Sequence, residues 1–428
     1  ERGEKIKENF ANLIANTKEE KSNKLPFEDT VQYLIEALTQ LKEIFPIQST
    51  SLPELFPRNI FSGGLMGYIG YDAVAPWVGY QPKTLEQFPD VLIGCYTKVF
   101  VYSHSTKMLY LVDNTLGTFQ PLQNEIDYLK NYQDSQVKTF KKPQIDMNHY
   151  QSNTTEQEWE SMIEKCKEHI FAGDIIQAVL SRKMRITTET DSLKVYEALR
   201  QFNPSPYMYY LNYSEIDGDP INIIGSSPEA LITMNQGIVE TVPIAGTRRR
   251  GRTPEDELKM EQELLASEKE TAEHIMLVDL ARNDLAKVCY PNTVETYELM
   301  KIKKYPHVMH IVSKVRGKTP LGPFDVLKSA FPAGTVSGAP KLKAMEIIQN
   351  LEKENRGPYA GVVGYVSFAG NCDFAIAIRT IFNRGKAFIT QAGAGIVADS
   401  KAQEEYLETK NKMLGTAYAI NAALEEDK

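Results

Sequence analysis

YAGVVGYVSFAGNCDFAIAIRTIFNRGKAFITQAGAGIVADS, residues 359–400, decides the fold. It holds two apolar runs rich in β-branched and aromatic residues, YAGVVGYVSF and CDFAIAIRTIFN, joined by Ala369-Gly370-Asn371. So short a Gly-containing link reads as a hairpin turn. KAFITQAGAGIVAD gives a third strand that ends in a Gly-rich loop, and residues 401–427 read as a closing helix.

Upstream, helices are expected over 158–172, 192–201, 255–285 and 340–353, with another starting near Pro323. Strands are expected in DIIQAVLSRKMRIT (174–187), MYYLNY (208–213) and INIIGSS (221–227), the last two flanking a turn at Asp217–Asp219. Strands and helices alternate irregularly, with several hairpins. That excludes a doubly wound fold and a TIM barrel. The expectation is an α+β fold: one large domain of packed, mostly antiparallel β-sheets with surrounding helices.

Residues 1–150 read as an N-terminal region and 151–428 as the catalytic domain. Phe27–Phe45 carries an amphipathic helical pattern (Val31, Leu34, Ile35, Leu38, Leu41), FSGGLMGYIGYDAVAP (61–76) reads as strand and tight turn, and 91–114 as strands around a turn at Ser103–Lys107. Residues 115–157 look like a polar crossing segment. Gly64-Leu65-Met66-Gly67-Tyr68 echoes Gly361-Val362-Val363-Gly364-Tyr365, by chance or as equivalent strands of paired sheets.

The chain has 428 residues and a formal net charge of -8, which argues against a nucleic-acid surface. Cys95, Cys166, Cys289 and Cys372 form no CxxC pair, so neither a zinc site nor a disulfide framework is indicated. No signal peptide and no bilayer-length apolar run is evident, so a cytoplasmic protein without membrane contact is expected. The chain begins Glu1-Arg2-Gly3 rather than with Met, and truncation at its start is expected.

Several segments can carry chemistry. Gly393 and Gly395 end a strand, where amides can cradle an anion or simply serve a tight turn. Beyond them, Glu405 and Glu408 (i, i+3) and Lys412 share a helix face, which is either solvated or functional. Glu273 opens a stripe with Leu277 and Leu280, as a cap or as a site acid; Arg282 and Asp284 further along could pair with each other. Gly246-Thr247 precedes Arg248, Arg249, Arg250 and Arg252, which Glu255, Asp256 and Glu257 can neutralise or which flank a small carboxylate site. Arg379 interrupts an apolar strand and needs an anion, from protein or substrate. His307 and His310 lack the third ligand a zinc site requires, leaving His310 as a core or pocket histidine. Glu229, immediately after Pro228, is a candidate general acid or base.

Taken in order, GDIIQAVLSR (173–182), NPSPYMYYL (203–211), GSSPEAL (225–231), PIAGTRRRG (243–251), EHIMLVDLARNDL (273–285), HVMHIVSKV (307–315), FPAGTVSGAPK (331–341), YAGVVGY (359–365), FAIAIRT (374–380) and QAGAGIVADS…EEYLETKNK (391–412) resemble the chorismate-utilising enzymes, most nearly the large subunits of anthranilate synthases. The resemblance implies a lyase that converts chorismate and ammonia to anthranilate and pyruvate in tryptophan biosynthesis, with Mg2+ as cofactor. It also implies a partner glutamine amidotransferase subunit (component II) that supplies the ammonia, in a heterotetramer.

By motif, it implies Glu273 and Glu408 as metal carboxylates with Glu405 in or beside that set. Tyr359, Arg379 and the backbone of Gly393, Ala394 and Gly395 hold the enolpyruvyl carboxylate. Gly246 and Thr247 touch the ring, His310 lies near the departing pyruvyl ether, Glu229 transfers a proton, and Lys412 stands beside the acids. Pro206, Tyr207 and Met208 match the remnant of a tryptophan feedback pocket whose N-terminal segments are not evident. Ala245 stands where aminodeoxychorismate synthases, the alternative reading, carry a nucleophilic lysine. Gln177 stands where water-using relatives carry a lysine base.

Overall fold

The structure is a computed structural model that describes residues 60–79, 83, 88–114, 123–131, 139–145, 149–216, 218–305 and 308–426. The helix expected over Phe27–Phe45, and His307, lie outside the described residues.

In chain order, the strands are β1 (Gly64–Ile69), β2 (Val91–Tyr96), β3 (Lys98–Ser103), β4 (Met108–Asp113), β5 (Gln151–Ser152), β6 (Gln177–Thr187), β7 (Tyr207–Ile216), β8 (Asp219–Ser227), β9 (Ala230–Asn235), β10 (Ile238–Thr241), β11 (Ile244–Arg249), β12 (Glu295–Lys304), β13 (Val308–Lys318), β14 (Gly338–Ala339), β15 (Val362–Ser367), β16 (Cys372–Ile376), β17 (Thr380–Arg384) and β18 (Ala387–Ile396). The longer helices are α1 (Gln123–Asn131), α2 (Glu156–Phe171), α3 (Ser192–Phe202), α4 (Pro254–Ala266), α5 (Glu268–Ala286), α6 (Pro323–Ala330), α7 (Lys341–Leu351) and α8 (Ala402–Glu426). This is the mixed, mostly antiparallel architecture the hairpin pattern implies.

Contacts divide the chain into two compact units: residues 1–65, 95–138 and 367–369, and residues 66–94, 139–366 and 370–428. Described parts of the first include the β3–β4 hairpin, paired from Lys98 opposite Asp113 to Ser103 opposite Met108. Every residue expected at the site belongs to the second.

Two large sheets form among the described residues. One runs β11-β13-β10-β9-β16-β15-β1-β2, with β12 on β13; the other runs β14-β6-β18-β17-β8-β7, with β5 on β6. Successive side chains of a strand face opposite sides. On β6, Ala178 and Leu180 therefore join α2 and α7 in a core with Trp159, Ile163, Ile347 and Ile348. Ile224, Phe388 and Ala392 pack against α3 and α8 through Leu199, Met413 and Ile420. Each such fully buried large aliphatic contributes about 1.5–3 kcal/mol. The alternate β6 positions, Gln177, Val179 and Ser181, face away from the helices.

Several expectations are corrected. CDFAIAIRTIFN is two strands in two sheets: β16 pairs with β9, β17 with β8, and Arg379 between them has φ +53°. The helix expected over 255–285 breaks at Ser267, whose extended backbone lets its hydroxyl accept from the Glu270 N–H and start α5. Residue 156, not 158, starts α2, because Thr155 and Glu158 form a capping box. Gly393, Ala394 and Gly395 are not a loop but the end of β18, opposite Ser181, Leu180 and Val179. The two GxxGY segments are neighbours in one sheet, since β1 and β15 adjoin. Arg282 bonds Asp279, and Asp284 takes Lys287 and Lys341, so Arg282 and Asp284 do not pair.

Candidate active site

The site is built where two strands leave one sheet for the other. β8 passes to β9 through Pro228-Glu229, and β16 passes to β17 through Ala377-Ile378-Arg379. The crossings run side by side: the Ser226 N–H donates to the Arg379 carbonyl at 3.2 Å, and the Ile376 N–H to the Glu229 carbonyl at 3.0 Å. Sequence-distant residues are thus fixed by backbone, and a left-handed arginine is held in place by what surrounds it.

Burial pushes the Glu229 carboxyl up to about 7, against the hydrogen bond from Thr335 and the charges of Arg379 and Lys412. Thr335 Oγ1 donates to Glu229 Oε1 at 2.9 Å. Arg379 is half-buried. Burial draws its pKa down, while Tyr359, Glu408 and Glu229 act in the other direction. Tyr359 is buried, and its hydroxyl, pushed up to about 12 by burial, accepts the Gly393 N–H. One field therefore links Glu229, Arg379, Tyr359, Glu408 and Lys412.

Glycine is required at 393 because a Cβ there would stand 2.9 Å from the Leu180 carbonyl and 3.0 Å from the Tyr359 hydroxyl. At 395 a Cβ would meet Gln177 Nε2 at 2.4 Å. Ala394, between them, turns the other way into the helix-covered core.

At the opposite wall, Gly246 sits with φ +65° at a bulge between Ala245 and Thr247. The bulge lets both the Gly246 carbonyl (3.0 Å) and the Thr247 hydroxyl (3.1 Å) reach His310 Nδ1. Burial lowers the His310 pKa, and the charge of Arg379 adds to that; the Gly246 carbonyl opposes it. The arginines beyond are taken up by acids: Arg248 by Glu270, Arg249 by Asp256, and Arg250 bidentately by Glu257.

The acids come from α5 and α8. Burial raises the Glu273 pKa, Glu270 and Glu408 raise it further, and Gln177 Nε2 donates to its Oε1 at 3.4 Å. Glu405 is buried, raised by desolvation and by Glu408, and bonded to Ser400. Glu408 is exposed and paired with Lys412 at 2.6 Å; Lys412 also donates to the Gly393 carbonyl at 2.9 Å. No three His, Cys, Asp or Glu residues form a closed ligand set among the described residues. Yet the donors are all oxygen, negative charge accumulates at Glu273, and the buried Gln177 Oε1 beside it has no partner. A hard divalent cation fits such a set.

Glu229 and Thr335 also line a cavity of about 40 Å³ with Leu277, Leu280 and Asp284. It is water-sized, far below the several hundred Å³ of a substrate pocket. Tyr207 and Met208 open β7 opposite Ser227 and Ser226. Tyr207 bonds Asp373, whose carboxyl burial raises to about 6; Pro206 is exposed. Thr335, inside the FPAGTVSGAPK motif, is a partner of Glu229 that nothing local in the sequence singles out.

The model of the chorismate binding enzyme family matches residues 3–416, and the chain belongs to that family. It is 42% identical over 423 residues to anthranilate synthase component 1 of Aquifex aeolicus, covering 94% of this chain and 82% of that one. The corresponding protein of Saccharolobus solfataricus is 44% identical over 366 residues, 85% of this chain and 82% of its own. The crystal structure of anthranilate synthase component I from Streptococcus pneumoniae TIGR4 matches with TM-score 0.77 at 34% identity, over 89% of this chain and 85% of that. A putative 2,3-dihydroxybenzoate-specific isochorismate synthase from Bacillus anthracis shares the fold, with TM-score 0.66 at 19% identity over 92% and 90% of the two chains. Among the described residues, no helix is long and apolar enough to cross a membrane.

Proposed function

We propose that the chain converts chorismate and ammonia to anthranilate, pyruvate and water. The observation that carries this reading is the pair of sheet crossings, which puts a guanidinium and an acid of pKa about 7 in one field. Arg379 and the Tyr359 hydroxyl hold the enolpyruvyl carboxylate, the arginine through its planar fork. The Gly393–Gly395 backbone lies against it, with no side chain at 393 or 395 and that of Ala394 turned into the core. Gly246 and Thr247 border the ring. His310, kept neutral at pH 7 by its lowered pKa, faces the departing ether. Glu229 is close to half-protonated near neutrality and moves a proton in either direction.

Glu273 and Glu408 are the carboxylates that would hold a divalent cation, with Glu405 beside them. Mg2+ is our choice because of the all-oxygen donor set. When bound, it supplies positive charge to the ring carboxylate and eases departure of the hydroxyl. Lys412 stays fixed to the Gly393 carbonyl and to Glu408.

Ala245 offers no amine to form a covalent ring adduct, and Gln177 offers no base to activate water. Direct attack of ammonia is the route left, on the carbon ortho to the ring carboxylate. The numbered name of the relatives, component 1, supports a second component; in our reading it is a glutamine amidotransferase that releases the ammonia, and the complex works in the cytoplasm. We divide the chain into a family N-terminal part, residues 1–150, and a chorismate-binding catalytic part, residues 151–428; the compact units follow a different line, since residues 66–94 and 139–150 group with the site residues.

The test is product analysis after incubation with chorismate, Mg2+ and ammonium. Anthranilate fluorescence with equimolar pyruvate is expected. Aminodeoxychorismate, detected by conversion with an added lyase, would replace this reading with the other.

A further inference from the structure

The mechanism leaves one large buried charge without a task. Arg182 is 1% exposed. It points from β6 toward the helix-covered face, away from the site. Its Nε donates to Thr409 Oγ1 at 2.8 Å, and its guanidinium lies 3.9 Å from the centre of the Tyr406 ring. Thr409 is fully buried and donates on to the Tyr406 carbonyl at 2.8 Å. The far side of the arrangement is closed by Trp159, edge-on to Tyr406 with ring centres 6.4 Å apart.

Among the described residues no carboxylate lies within ion-pair range of Arg182, and its buried Nη2 has no hydrogen-bond partner. A buried charge so poorly compensated is costly, and a well-packed apolar residue of similar volume commonly does as well or better for stability. Packing alone does not explain this arginine.

What it grips is the start of α8. Tyr406 and Thr409 alternate there with Glu405, Glu408 and Lys412. At 3.6 residues per turn, rotating the helix by one residue swings these acids about 100°. The same rotation would carry Tyr406 off the guanidinium and Thr409 out of reach of Nε.

We propose that Arg182 is a positioning residue: it fixes the rotation of α8 and so presents Glu408 toward Glu273 for a divalent cation. It touches neither substrate nor cation. This inference rests on the reading of Glu273 and Glu408 as the cation carboxylates.

The experiment compares wild type, Arg182→Met and Arg182→Lys in two readouts. One is Mn2+ affinity of the free chain by electron paramagnetic resonance; the other is the Mg2+ dependence of anthranilate formation. Loss of an outer partner of a metal site typically costs about 10–100-fold in affinity. Arg182→Met should weaken Mn2+ by about tenfold and raise the Mg2+ half-saturation in proportion. Its kcat should recover at high Mg2+, with the chorismate KM there unchanged. Arg182→Lys keeps the cation over Tyr406 and should recover part of the loss. A folded Arg182→Met chain with wild-type Mn2+ affinity overturns the proposal, as does a kcat loss that Mg2+ cannot restore. Should Arg182→Met not fold, Thr409→Val removes the acceptor of Nε, together with the local bond to the Tyr406 carbonyl, and leaves the guanidinium over Tyr406; the same two outcomes decide. A wild-type chain that makes no anthranilate breaks the parent reading instead.

Discussion

The sheet crossings and the start of α8 bring functional groups together by different means. At the crossings, Glu229 and Arg379 are held by backbone hydrogen bonds between paired strands, and their side chains face a preformed wall. On α8, Glu408 is exposed and leans on Lys412, and no closed ligand set exists among the described residues. The carboxylate-holding end is therefore organised by the fold itself. The acidic end is organised by a few side chains. Substitutions at the first end should abolish turnover under all conditions, and those at the second should be sensitive to metal concentration.

The largest effect is expected at Arg379. Arg379→Lys keeps the charge but loses the bidentate fork, and kcat/KM for chorismate should fall at least about 1000-fold, without rescue by Mg2+. Wild-type-like kinetics would dissolve the distinction. Glu273→Gln and Glu408→Gln come next. Both should abolish magnesium-dependent activity while circular dichroism and melting temperature stay near wild type. Full activity at limiting Mg2+ in either variant would remove the metal assignment.

Glu229→Gln should lower kcat by about 100-fold and erase a pH limb. Expressed per unprotonated ammonia, wild-type activity should decline above about pH 7, as the protonated form of Glu229 is lost. The same shift affects stability. Glu229 rises from its ordinary 4.5 to about 7 on folding, so the unfolded chain ionises first. Stability is fully present below 4.5 and falls as pH rises to 7, then levels off. Glu229→Gln should therefore melt higher than wild type at pH 8 and gain nothing at pH 4. A gain that is larger at pH 4 would contradict the burial argument.

The smallest effect is expected at Gly395. Gly395→Ala crowds Gln177 Nε2, the flexible end of a side chain that donates to Glu273. A several-fold rise in Mg2+ half-saturation with little change in melting temperature is expected. A loss of chorismate binding instead would place Gly395 with the crossings.

Much of the fold was legible because hydrophobic periodicity and turn residues agree. The β15–β16 hairpin and the closing helix form, and the strand expected over 174–187 forms from Gln177 to Thr187. The break at Ser267 was legible in principle, since Ser267-Glu268-Lys269-Glu270 has the S-x-x-E spacing of a helix start. Residues 255–285, heavily charged in the first part and apolar in the second, nevertheless read as one helix. The split of CDFAIAIRTIFN was not legible: both halves alternate alike, and only the positive φ of Arg379 marks the change of sheet. Nor does a local pattern reveal that Glu229 meets Thr335 across 106 positions, or that Arg182 grips Thr409 across 227. Such pairs arise from sheet order. The ordered motifs supplied the candidate residues, and the topology supplies the reason they meet.

The most direct test is a structure of the chain with Mn2+, benzoate and pyruvate. The account predicts an anomalous Mn2+ signal between the carboxylates of Glu273 and Glu408, beside the benzoate carboxylate, and pyruvate with its carboxylate on Arg379 and Tyr359. A cation seated elsewhere, or pyruvate bound away from the two crossings, would contradict it.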